Sequence, residues 1–504
     1  MPTLGRLTEP SLLFRYGQAI EDPRDGLSLF GPLDEGKPHG VRAGIIGTRE
    51  AIRRFNAWVT RIQSPVTNDP PRRNRPPFPG FSAVFGIPWS PRPVREIEID
   101  PAEIRRCVHL GDRHQRVYQT TDLFAERILM SHMNDEEKPD IWFVLVTDEI
   151  YRYCRPRGSV PAADRILLDG KTNVKDARRG VVEPFLFPEY RVAAVPYQYD
   201  PDFHHQLKAR LLEKQILTQV VRESTIAYAE FLNVAGKPTR NLKVLESEIA
   251  WNICSAVFYK MGGRPWKLNG VRPGVCYIGL VFKSTGNAHD AREACCAAQL
   301  FMDSGDGVVF KGDVGPWFSP QKGDYHLSRI QSRSLVALAL ASYRERNKGQ
   351  SPRELFIHAR TRFNDEEWLG FRDAAGTESA VVGVRIQYSD DFRVYRPDRN
   401  PVLRGTTWIQ DRKVGFLWTN GFVPRLQTYP GREVPRPLRV EISQGEADLS
   451  VVFGDILKLT KVNYNSCRYS DGLPVTLRFA DAVGEILTCG PMKSPPPLPF
   501  RHYI

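Results

Sequence analysis

The sequence predicts an α/β protein made of two successive α/β regions, and three observations support this. Between residues 138 and 263, apolar runs of strand length alternate with amphipathic helical stretches, which is typical of a parallel, Rossmann-like sheet. After residue 269 a new series of strands begins, contains a hairpin pattern and is interspersed with helices. The chain of 504 residues is also longer than one ordinary core supports, so two or three domains are expected.

The first α/β region is predicted to contain two strands and two helices. An uninterrupted apolar run from Ile141 to Val146 predicts a buried strand. The stretch DPDFHHQLKARLLEKQ predicts a helix with Asp202 as its N-cap, because leucines recur on one face and an Asp side chain can accept from the first turn. ILTQVV predicts a second short strand, and VLESEIAWNICSAVFYKMGG predicts a long helix that stops at a Gly-Gly pair.

Residues 1–130 differ in composition from this region. They contain many turn residues and the stretch SPVTNDPPRRNRPPFPG, which has too many prolines for a helix or a central strand. We therefore expect an N-terminal segment of irregular loops that packs on the two lobes. The predicted division is 1–130 for this segment, 131–268 for the Rossmann-like domain and 269–504 for the second α/β domain.

The second α/β region is richer in strands. GVCYIGLVFKSTG predicts its first strand, and AAQLFMDSGDGVVFKGD predicts a hairpin that turns at residues 304–307. LSRIQSRSLVALALASYRER predicts a helix, RELFIHARTRF a strand, and NDEEWLGFRDAAG a helix with Asn364 as its N-cap. Later strands are predicted in AVVGVRIQYS, TTWIQ, VGFLW and PLRVEIS, before a helix in PVTLRFADAVGEIL. A sheet with a hairpin and helices packed on it is an RNase H-like arrangement.

Charge and cysteine content restrict the class of protein. The formal net charge is +12 and the pI is about 9.3, which indicates a polyanionic partner such as nucleic acid, although an arginine-rich solvated surface has the same composition. The eight cysteines form no CxxC pair, which favours free thiols in a reducing compartment. No stretch is apolar enough for a membrane span, and no signal-peptide pattern is present, so we expect a cytoplasmic protein with no membrane association.

Four polar residues near predicted helix and strand ends form a candidate phosphate pocket. His204 and Lys208 are four residues apart and share one face of the predicted helix. Gln219 lies on the short strand that follows, and Lys260 ends the next helix. A phosphate group is strongly anionic and accepts several short hydrogen bonds, which His, Lys and Gln side chains can donate.

Each of these residues also has an ordinary structural explanation. Lys260, followed by Gly262 and Gly263, fits a helix C-cap, where an ammonium group complements the negative end of the helix dipole. A His–Lys pair on a helix is commonly a solvated surface, and a glutamine in a strand is commonly an edge residue. The spacing alone leaves both interpretations open.

These residues occur together with other motifs. The spacing H-x-x-x-K of His204 and Lys208, a glutamine eleven residues later and KMGGRPW from Lys260 accompany the segments DPRDGLSLFGP, TKVNYNS and PVTLRFAD. This combination resembles the short prokaryotic Argonautes, which consist of MID and PIWI domains without N or PAZ domains, and it extends over most of the chain. On this resemblance 131–268 is the MID domain and 269–504 the PIWI domain. The four polar residues then match the family's pocket for a guide 5′ phosphate, with His204 where Tyr or Arg is common.

The resemblance also assigns a role to the last residue. In this family the C-terminal carboxylate folds back toward the MID pocket and helps to hold a divalent cation on the guide phosphate. Here that carboxylate belongs to Ile504, so we expect Mg²⁺ at the guide 5′ phosphate with Ile504 among its ligands. Leu498, Phe500 and Tyr503 are expected to anchor this tail in a groove, and the prolines of SPPPLPF to stiffen it. A frayed terminus is the ordinary alternative.

The positions that hold catalytic metal ions in active PIWI domains are largely replaced. Such domains use clustered carboxylates to bind two metal ions about 4 Å apart. By resemblance the first position, on the strand YIGLVF, is Val281, and the second, after the strand FIHA, is Arg360. Only the last position, Asp481 in RFADAV, keeps a carboxylate. One carboxylate does not hold two metal ions and the cation of Arg360 repels them, so we expect no catalytic residues and no slicing.

The resemblance then implies guided recognition rather than catalysis. A small guide RNA would direct the chain to single-stranded DNA targets from invading plasmids or phages. Base pairing would read the sequence while the protein holds the backbone. Target binding would activate a partner protein in prokaryotic immunity, in which an APAZ region is fused to a sirtuin-like or TIR NADase, or to a nuclease.

Two alternative hypotheses concern the same sequence. A divergent guide-directed PIWI nuclease could use Asp481 together with unrecognised acidic residues. A structural partner protein could bind no guide at all and use its basic surface only to contact the APAZ protein. Cleavage of a target separates the first alternative from guided recognition, and copurification of small nucleic acid separates the second.

Overall fold

The computed structural model describes residues 2–167, 188–284, 294–301, 307–315, 326–397, 399–429, 431, 433–491 and 498–504. Strands and helices are numbered separately in chain order. The strands are β1 (Thr3–Arg6), β2 (Leu12–Leu13), β3 (Ala19–Ile20), β4 (Ala43–Gly47), β5 (Arg95–Glu98), β6 (Ile141–Val146), β7 (Thr218–Arg222), β8 (Lys267–Leu268), β9 (Val275–Ser284), β10 (Ala294–Phe301), β11 (Gly307–Gly315), β12 (Glu354–Ala359), β13 (Ala380–Tyr388), β14 (Thr406–Ile409), β15 (Val414–Leu417), β16 (Leu438–Gln444) and β17 (Leu498–Pro499). The α-helices are α1 (Pro23–Phe30), α2 (Arg49–Arg61), α3 (Phe81–Phe85), α4 (Pro101–Val108), α5 (Arg113–Asn134), α6 (Asp148–Tyr153), α7 (Pro188–Ala194), α8 (Phe203–Leu212), α9 (Glu223–Ile226), α10 (Glu246–Lys260), α11 (Arg329–Arg346), α12 (Asp365–Ala375), α13 (Leu449–Leu459) and α14 (Val475–Leu487).

A four-stranded parallel sheet forms the centre of the first half of the chain. Its order is β5-β4-β6-β7, and every neighbouring pair is parallel. β6 has the predicted bounds and is buried along its whole length. α8 begins after Asp202, whose side chain accepts from the backbone N–H of His205. The predicted Rossmann-like sheet is therefore confirmed, and the carboxyl ends of β6 and β7 lie side by side.

The expectation that residues 1–130 are irregular is wrong. This segment supplies β4 and β5 to the four-stranded sheet, so the predicted boundary at residue 131 separates strands of one sheet. β4 is short and glycine-bounded, AGIIG, and it becomes a strand because β5 and β6 satisfy its backbone groups from both sides. α2 has a clear helical spacing of buried apolar residues, namely Ala51, Ile52, Phe55, Trp58 and Val59.

A ten-stranded mixed sheet forms the centre of the second half. Its order is β1-β14-β15-β16-β13-β12-β9-β10-β11-β17. The central strands β9, β12 and β13 are parallel, whereas β9, β10 and β11 follow one another antiparallel. The predicted turn at residues 304–307 lies outside the described residues except for Gly307, but the strands on either side pair as expected. The predicted RNase H-like arrangement is confirmed at the level of fold class.

Helix α14 lies directly on the central strands of this sheet. A Cβ placed on Gly279 of β9 would lie 1.8 Å from the carbonyl oxygen of Thr476 in α14, so only glycine fits between them. On the neighbouring strand β12, the buried His358 ring shares a 2.9 Å hydrogen bond with the Thr476 hydroxyl. These two contacts fix the start of α14 over β9 and β12.

Both ends of the described chain join the ten-stranded sheet. β1 pairs with β14 at one edge, and β17 pairs with β11 at the other. Just after β1, Glu9 accepts from the buried side chains of Arg404, at 2.9 Å, and Lys461, at 2.7 Å. This half-buried carboxylate therefore ties residues just after β1 to the second half of the chain.

The tail at the end of the chain is docked. Leu498, Phe500, Tyr503 and Ile504 are buried, and the centroid of the Phe500 ring lies 4.1 Å from that of Phe479. The predicted apolar anchoring is confirmed, although most of the proline run, within residues 492–497, lies outside the described residues.

The described residues bear on two expectations from the sequence, namely the absence of a membrane span and the presence of free thiols. None of the helices described has the length and apolar character that crossing a membrane requires. Six cysteines are free thiols: Cys107 is half-buried, and Cys154, Cys254, Cys276, Cys467 and Cys489 are buried.

Candidate anion-binding pocket and arginine cluster

A cavity of about 520 Å³ lies at the carboxyl ends of β6 and β7. It is bounded by α6, the first turn of α8 and the last residue of α10. Three of the four residues predicted for a phosphate pocket line it, together with the last residue of the chain: His204, Gln219, Lys260 and Ile504. The fourth, Lys208, is buried beside the cavity and contacts Ile504. The structure thus brings all five predicted residues together.

Lys260 belongs to both the helix and the pocket. It is the last residue of α10 and is only 1% exposed. Its ammonium group donates to Gln219 Oε1 at 2.7 Å and to the carbonyl oxygen of Thr218 at 3.0 Å. The helix stops because Gly262 adopts a φ of +102°, a conformation that favours glycine. The helix-end and pocket interpretations of Lys260 are therefore compatible.

Lys208 connects the helix to the end of the chain. It is 3% exposed, and its ammonium group donates to the main-chain oxygen of Ile504 and to the carbonyl of Thr218 at 3.4 Å. Within the described part of the chain, neither Lys208 nor Lys260 forms an ion pair with a side-chain carboxylate. The two ammonium groups are thus held close together by the Thr218 carbonyl, the Gln219 amide oxygen and the Ile504 oxygen, which belongs to the carboxylate expected there.

Burial changes the acidity of both lysines. Removal from water lowers the pKa of the Lys208 ammonium to about 7. Removal from water, with added repulsion from Lys208, also lowers the pKa of Lys260 well below its ordinary value. An anion that entered the cavity would reverse both effects, because an opposite charge favours the protonated form. The electrostatics of the pocket therefore select an anion.

His204 differs from the lysines because its side chain is exposed within the cavity. Its pKa is lowered well below the ordinary histidine value by surrounding protein and by the charges of Lys208, His205 and Lys260. The neighbouring positive charges therefore disfavour a protonated ring. A neutral imidazole can donate one hydrogen bond to an anion without adding charge.

The sequence analysis missed a stacked group at the mouth of the cavity. The guanidinium of Arg155 lies 3.4 Å from the centroid of the Tyr151 ring, and that of Arg222 lies 4.1 Å from the same centroid. Arg222 is held by two hydrogen bonds to Asp148, at 2.6 and 2.7 Å. The sequence signal is the run TDEIYRYCR directly after β6, which alternates aromatic and basic residues at the carboxyl end of a parallel strand.

The expected Mg²⁺ can be compared with the donors that the pocket offers. Mg²⁺ prefers oxygen ligands, binds through one or two carboxylates plus substrate phosphates, and keeps several waters. The pocket offers the main-chain oxygen of Ile504 and Oε1 of Gln219, each of which accepts from a lysine. It also offers the carboxylate of Asp202, which lies close to His204 and His205. Two nearby ammonium groups oppose a lone divalent cation. These residues therefore fit Mg²⁺ only when an anionic phosphate is present to offset the lysines.

The residues at the degenerate catalytic positions form a second group. In the parallel pairing of β9 and β12, Ala359 lies opposite Leu280, so Val281 and Arg360 follow at the same end of the sheet. The Arg360 side chain forms an ion pair with Asp481 of α14. The structure thus brings Arg360 and Asp481 into contact, and it puts the backbone of Val281 next to them.

Two further arginines lie at the same end of the sheet. Arg362 and Arg385 both pair with Glu441 of β16, at 2.7 and 3.4 Å. Arg385 also donates to the carbonyl oxygen of Arg360 at 3.3 Å. We refer to Arg360, Arg362 and Arg385 as the arginine cluster. Among the described residues its three cations pair with two carboxylates, so this described cluster keeps a net positive charge.

Comparisons with known proteins bear on the fold. No protein-family model matches the sequence, and the search of curated proteins finds no match. Solved structures do match: Clostridium butyricum Argonaute bound to a guide DNA and a 19-mer target DNA aligns over 98% of this chain and 54% of its own, with 16% identity and a TM-score of 0.60. Drosophila Piwi aligns over 99% and 56%, with 12% identity and a TM-score of 0.57. An Aquifex aeolicus Argonaute aligns over 99% and 57%, with 16% identity and a TM-score of 0.53.

These matches define the class of fold. The chain has the α/β fold of the MID and PIWI domains of Argonaute proteins, and the similar structures include bacterial Argonautes and Drosophila Piwi. The chain spans about half the length of these proteins. At 12–16% identity the likeness concerns the fold, so activity must be argued from the residues of this chain.

Proposed function

We propose that this protein binds the 5′ phosphate of a small guide nucleic acid in the cavity at Lys208 and Lys260 and uses the guide to recognise a single-stranded target without cutting it. The observation that carries the proposal is the pair of buried ammonium groups with no side-chain carboxylate partner among the described residues. The terminal carboxylate expected of Ile504 can offset only one of the two ammonium groups, and an excess of buried charge is unfavourable. An anionic ligand removes that penalty, and an Argonaute-like fold makes a guide strand the natural ligand.

Each pocket residue has a separate part in holding the phosphate. Lys208 and Lys260 supply charge-assisted hydrogen bonds, which are stronger than neutral ones. His204 donates one hydrogen bond as a neutral ring, and Gln219 orients Lys260 through their 2.7 Å contact. Mg²⁺, when bound with the phosphate, would neutralise further negative charge and would be held by the oxygens of Ile504 and Gln219.

The absence of slicing is part of the proposal. Its support is the side chains at the expected metal positions: Val281 offers no ligand atom, and Arg360 is a cation paired with Asp481. Two-metal hydrolysis needs several carboxylates around the scissile phosphate. Glu441 does not replace the missing metal-binding carboxylates, because its carboxylate already pairs with Arg362 and Arg385. The alternative of a divergent nuclease therefore has less support.

The nature of guide, target and partner comes from the resemblance to short prokaryotic Argonautes. We infer a small guide RNA, single-stranded DNA targets from plasmids or phages, and a role in prokaryotic immunity. We also infer an APAZ-containing partner with a sirtuin-like or TIR NADase, or a nuclease, that is activated when the target binds. Coexpression of this chain with such a partner tests the inference, since target addition should then switch on NAD⁺ consumption or DNA degradation.

Guide binding itself is tested with two RNAs of identical sequence, one with a 5′ phosphate and one with a 5′ hydroxyl. We expect the phosphorylated RNA to bind at least about tenfold more tightly, since one charge-assisted contact is worth roughly 1.5–3 kcal/mol. Equal affinities would refute the pocket. The guide-loaded chain should then retain a labelled complementary DNA and leave it intact with Mg²⁺ or Mn²⁺. A specific cut opposite the middle of the guide would favour the nuclease instead.

A further inference from the structure

The arginine cluster presents its positive charge to solvent. The side chains of Arg360 and Arg362 are 49% and 61% exposed, whereas that of their counterion Glu441 is only 11% exposed. Asp481 is 33% exposed. Glu441 is therefore largely covered while the two guanidinium groups reach solvent, so the described part of this surface is predominantly cationic.

The position of Arg360 is fixed by several contacts. Its carbonyl oxygen accepts from Gln387 at 2.7 Å and from Arg385 at 3.3 Å. Its ion-pair partner Asp481 lies on α14, and α14 is held against the neighbouring strands by the His358–Thr476 hydrogen bond of 2.9 Å. A side chain positioned in this way loses less entropy when it binds a ligand.

Only part of the Arg360 fork is used within the described structure. Nη2 donates to Asp481 Oδ2, and a guanidinium group carries five N–H donors in a planar fork. The shape and charge of that fork suit two oxygens of a phosphodiester. By the resemblance, Val281 and Arg360 stand where active PIWI domains carry metal-binding carboxylates.

We propose that the arginine cluster binds a backbone phosphate of the target strand while that strand is paired with the guide. A cation thus contacts the phosphate where a nuclease would place metal ions, and the strand is held rather than cut. Asp481 competes with the phosphate for the Arg360 guanidinium. It orients that guanidinium in the free protein, and some of the N–H donors turn to the phosphate when the target binds. This inference rests on the proposed function, because it takes guided target binding as given.

This competition predicts that substitution of Arg360 lowers the affinity for the target, whereas substitution of Asp481 raises it. In the guide-loaded full chain, Arg360→Gln should weaken binding of a labelled complementary single-stranded DNA by about tenfold. The slope of log affinity against log salt concentration should become shallower by about one, as expected for the loss of one phosphate contact. Asp481→Asn should strengthen binding by about threefold, because it removes the competing charge.

The double variant and a matched ion pair serve as controls. Arg360→Gln with Asp481→Asn should bind target no more tightly than Arg360→Gln alone, since the proposed competition requires the Arg360 guanidinium. Arg329 and Asp373 form a surface ion pair of 2.6 Å whose side chains are also 49% and 33% exposed. Arg329→Gln should leave target affinity and its salt dependence unchanged. None of the four variants should alter the affinity for a 5′-phosphorylated guide in the absence of target.

The outcomes separate the two proposals. If the wild-type chain binds a guide but no target, the proposed function fails and this inference fails with it. If the target binds but Arg360→Gln matches Arg329→Gln, the cluster does not contact the target and only this inference is overturned. Weaker binding in both Arg360→Gln and Asp481→Asn would show that the ion pair is structural, and would also overturn it.

Discussion

The ammonium group of Lys208 donates to the main-chain oxygen of Ile504, although the two residues are 296 positions apart in the chain. The contact joins helix α8 of the four-stranded sheet region to the docked tail that follows β17. The pocket is therefore assembled from distant parts of the chain, and its charge depends on both. Four predictions concern this pocket and the fold around it.

Lys260→Met should affect binding and stability in opposite directions. Methionine keeps the volume of the buried side chain but removes the unpaired charge, so the free energy of unfolding should rise by about 1 kcal/mol. The affinity for a 5′-phosphorylated guide should fall about tenfold to a hundredfold, through loss of a contact worth roughly 1.5–3 kcal/mol. Urea unfolding and equilibrium guide binding measure the two effects.

Lys214 provides the control for this variant. It is an exposed residue just after α8, and Lys214→Met should change neither quantity. A 5′-hydroxyl guide should bind the Lys260→Met variant about as well as it binds the wild type. If Lys260→Met weakens both guides equally, Lys260 is a general backbone contact or a structural residue.

Guide affinity should depend on pH through Lys208. The pKa of this group is about 7 in the free protein, and a bound phosphate raises it because opposite charge favours protonation. Both states are protonated below pH 7, so affinity is then independent of this group. Above pH 7 binding requires uptake of a proton, and affinity should fall by up to about tenfold per pH unit until the pKa of the bound state is reached.

The pH range from 7 to 9 is suitable for this measurement, since the phosphate itself titrates near pH 6. Lys208→Arg should flatten the profile, because arginine stays protonated throughout. A 5′-hydroxyl guide should show no such decline. A flat wild-type profile for the phosphorylated guide would mean that Lys208 is already protonated at pH 9 in the free protein, or does not contact the phosphate.

Removal of divalent cations tests the role expected for Ile504. A chelator should lower the affinity for a 5′-phosphorylated guide by about tenfold, since an oxygen–cation contact is worth at least one charge-assisted hydrogen bond. Residues added after Ile504 should lower the affinity and also weaken the dependence on Mg²⁺, because they remove the terminal charge. The same residues added before Met1 should do neither. Equal, Mg²⁺-dependent affinities for both extended chains would exclude Ile504 from the cation site.

Two glycine substitutions should move stability in opposite directions. A Cβ on Gly279 would lie 1.8 Å from the Thr476 carbonyl oxygen, so Gly279→Ala should lower the free energy of unfolding by about 3 kcal/mol through overpacking. Gly454 lies inside helix α13 with open space around it, so Gly454→Ala should raise it by up to about 1 kcal/mol. Thermal or urea unfolding of the two variants checks both, and a tolerated Gly279→Ala would contradict the close packing of α14 on β9.

The sequence was sufficient for those parts of the fold with local signals. β6, α8 and α12 were predicted because apolar runs and caps such as Asp202 and Asn364 mark them within a few residues. β4 could not be predicted in the same way, because its five residues become a strand only through pairing with distant β5 and β6. Helix α5, from Arg113 to Asn134, was not predicted. The proline-rich stretch before it led to the expectation that the whole N-terminal segment is irregular.

Some residues of the candidate site could likewise be predicted from the sequence, and others could not. His204, Lys208, Gln219 and Lys260 could be grouped because each stands at the end of a predictable element, and the resemblance added Ile504. The stack of Arg155 on Tyr151 could not be predicted, because ring geometry depends on how α6 turns after β6. The pairing of Arg362 and Arg385 with Glu441 likewise depends on the order of strands β13 and β16.

The pairing of β1 with β14 has a consequence for how the protein is made. Thr3 lies opposite Ile409, so about 400 residues must leave the ribosome before the first strand finds its partner. At about 5–20 residues per second this wait is roughly 20–80 s. Over that time β1 has no strand to join and Glu9 has neither of its cationic partners. β1 and Glu9 are therefore made long before their partners and reach their native positions late, and a domain placed directly before β1 would stay unanchored for that time.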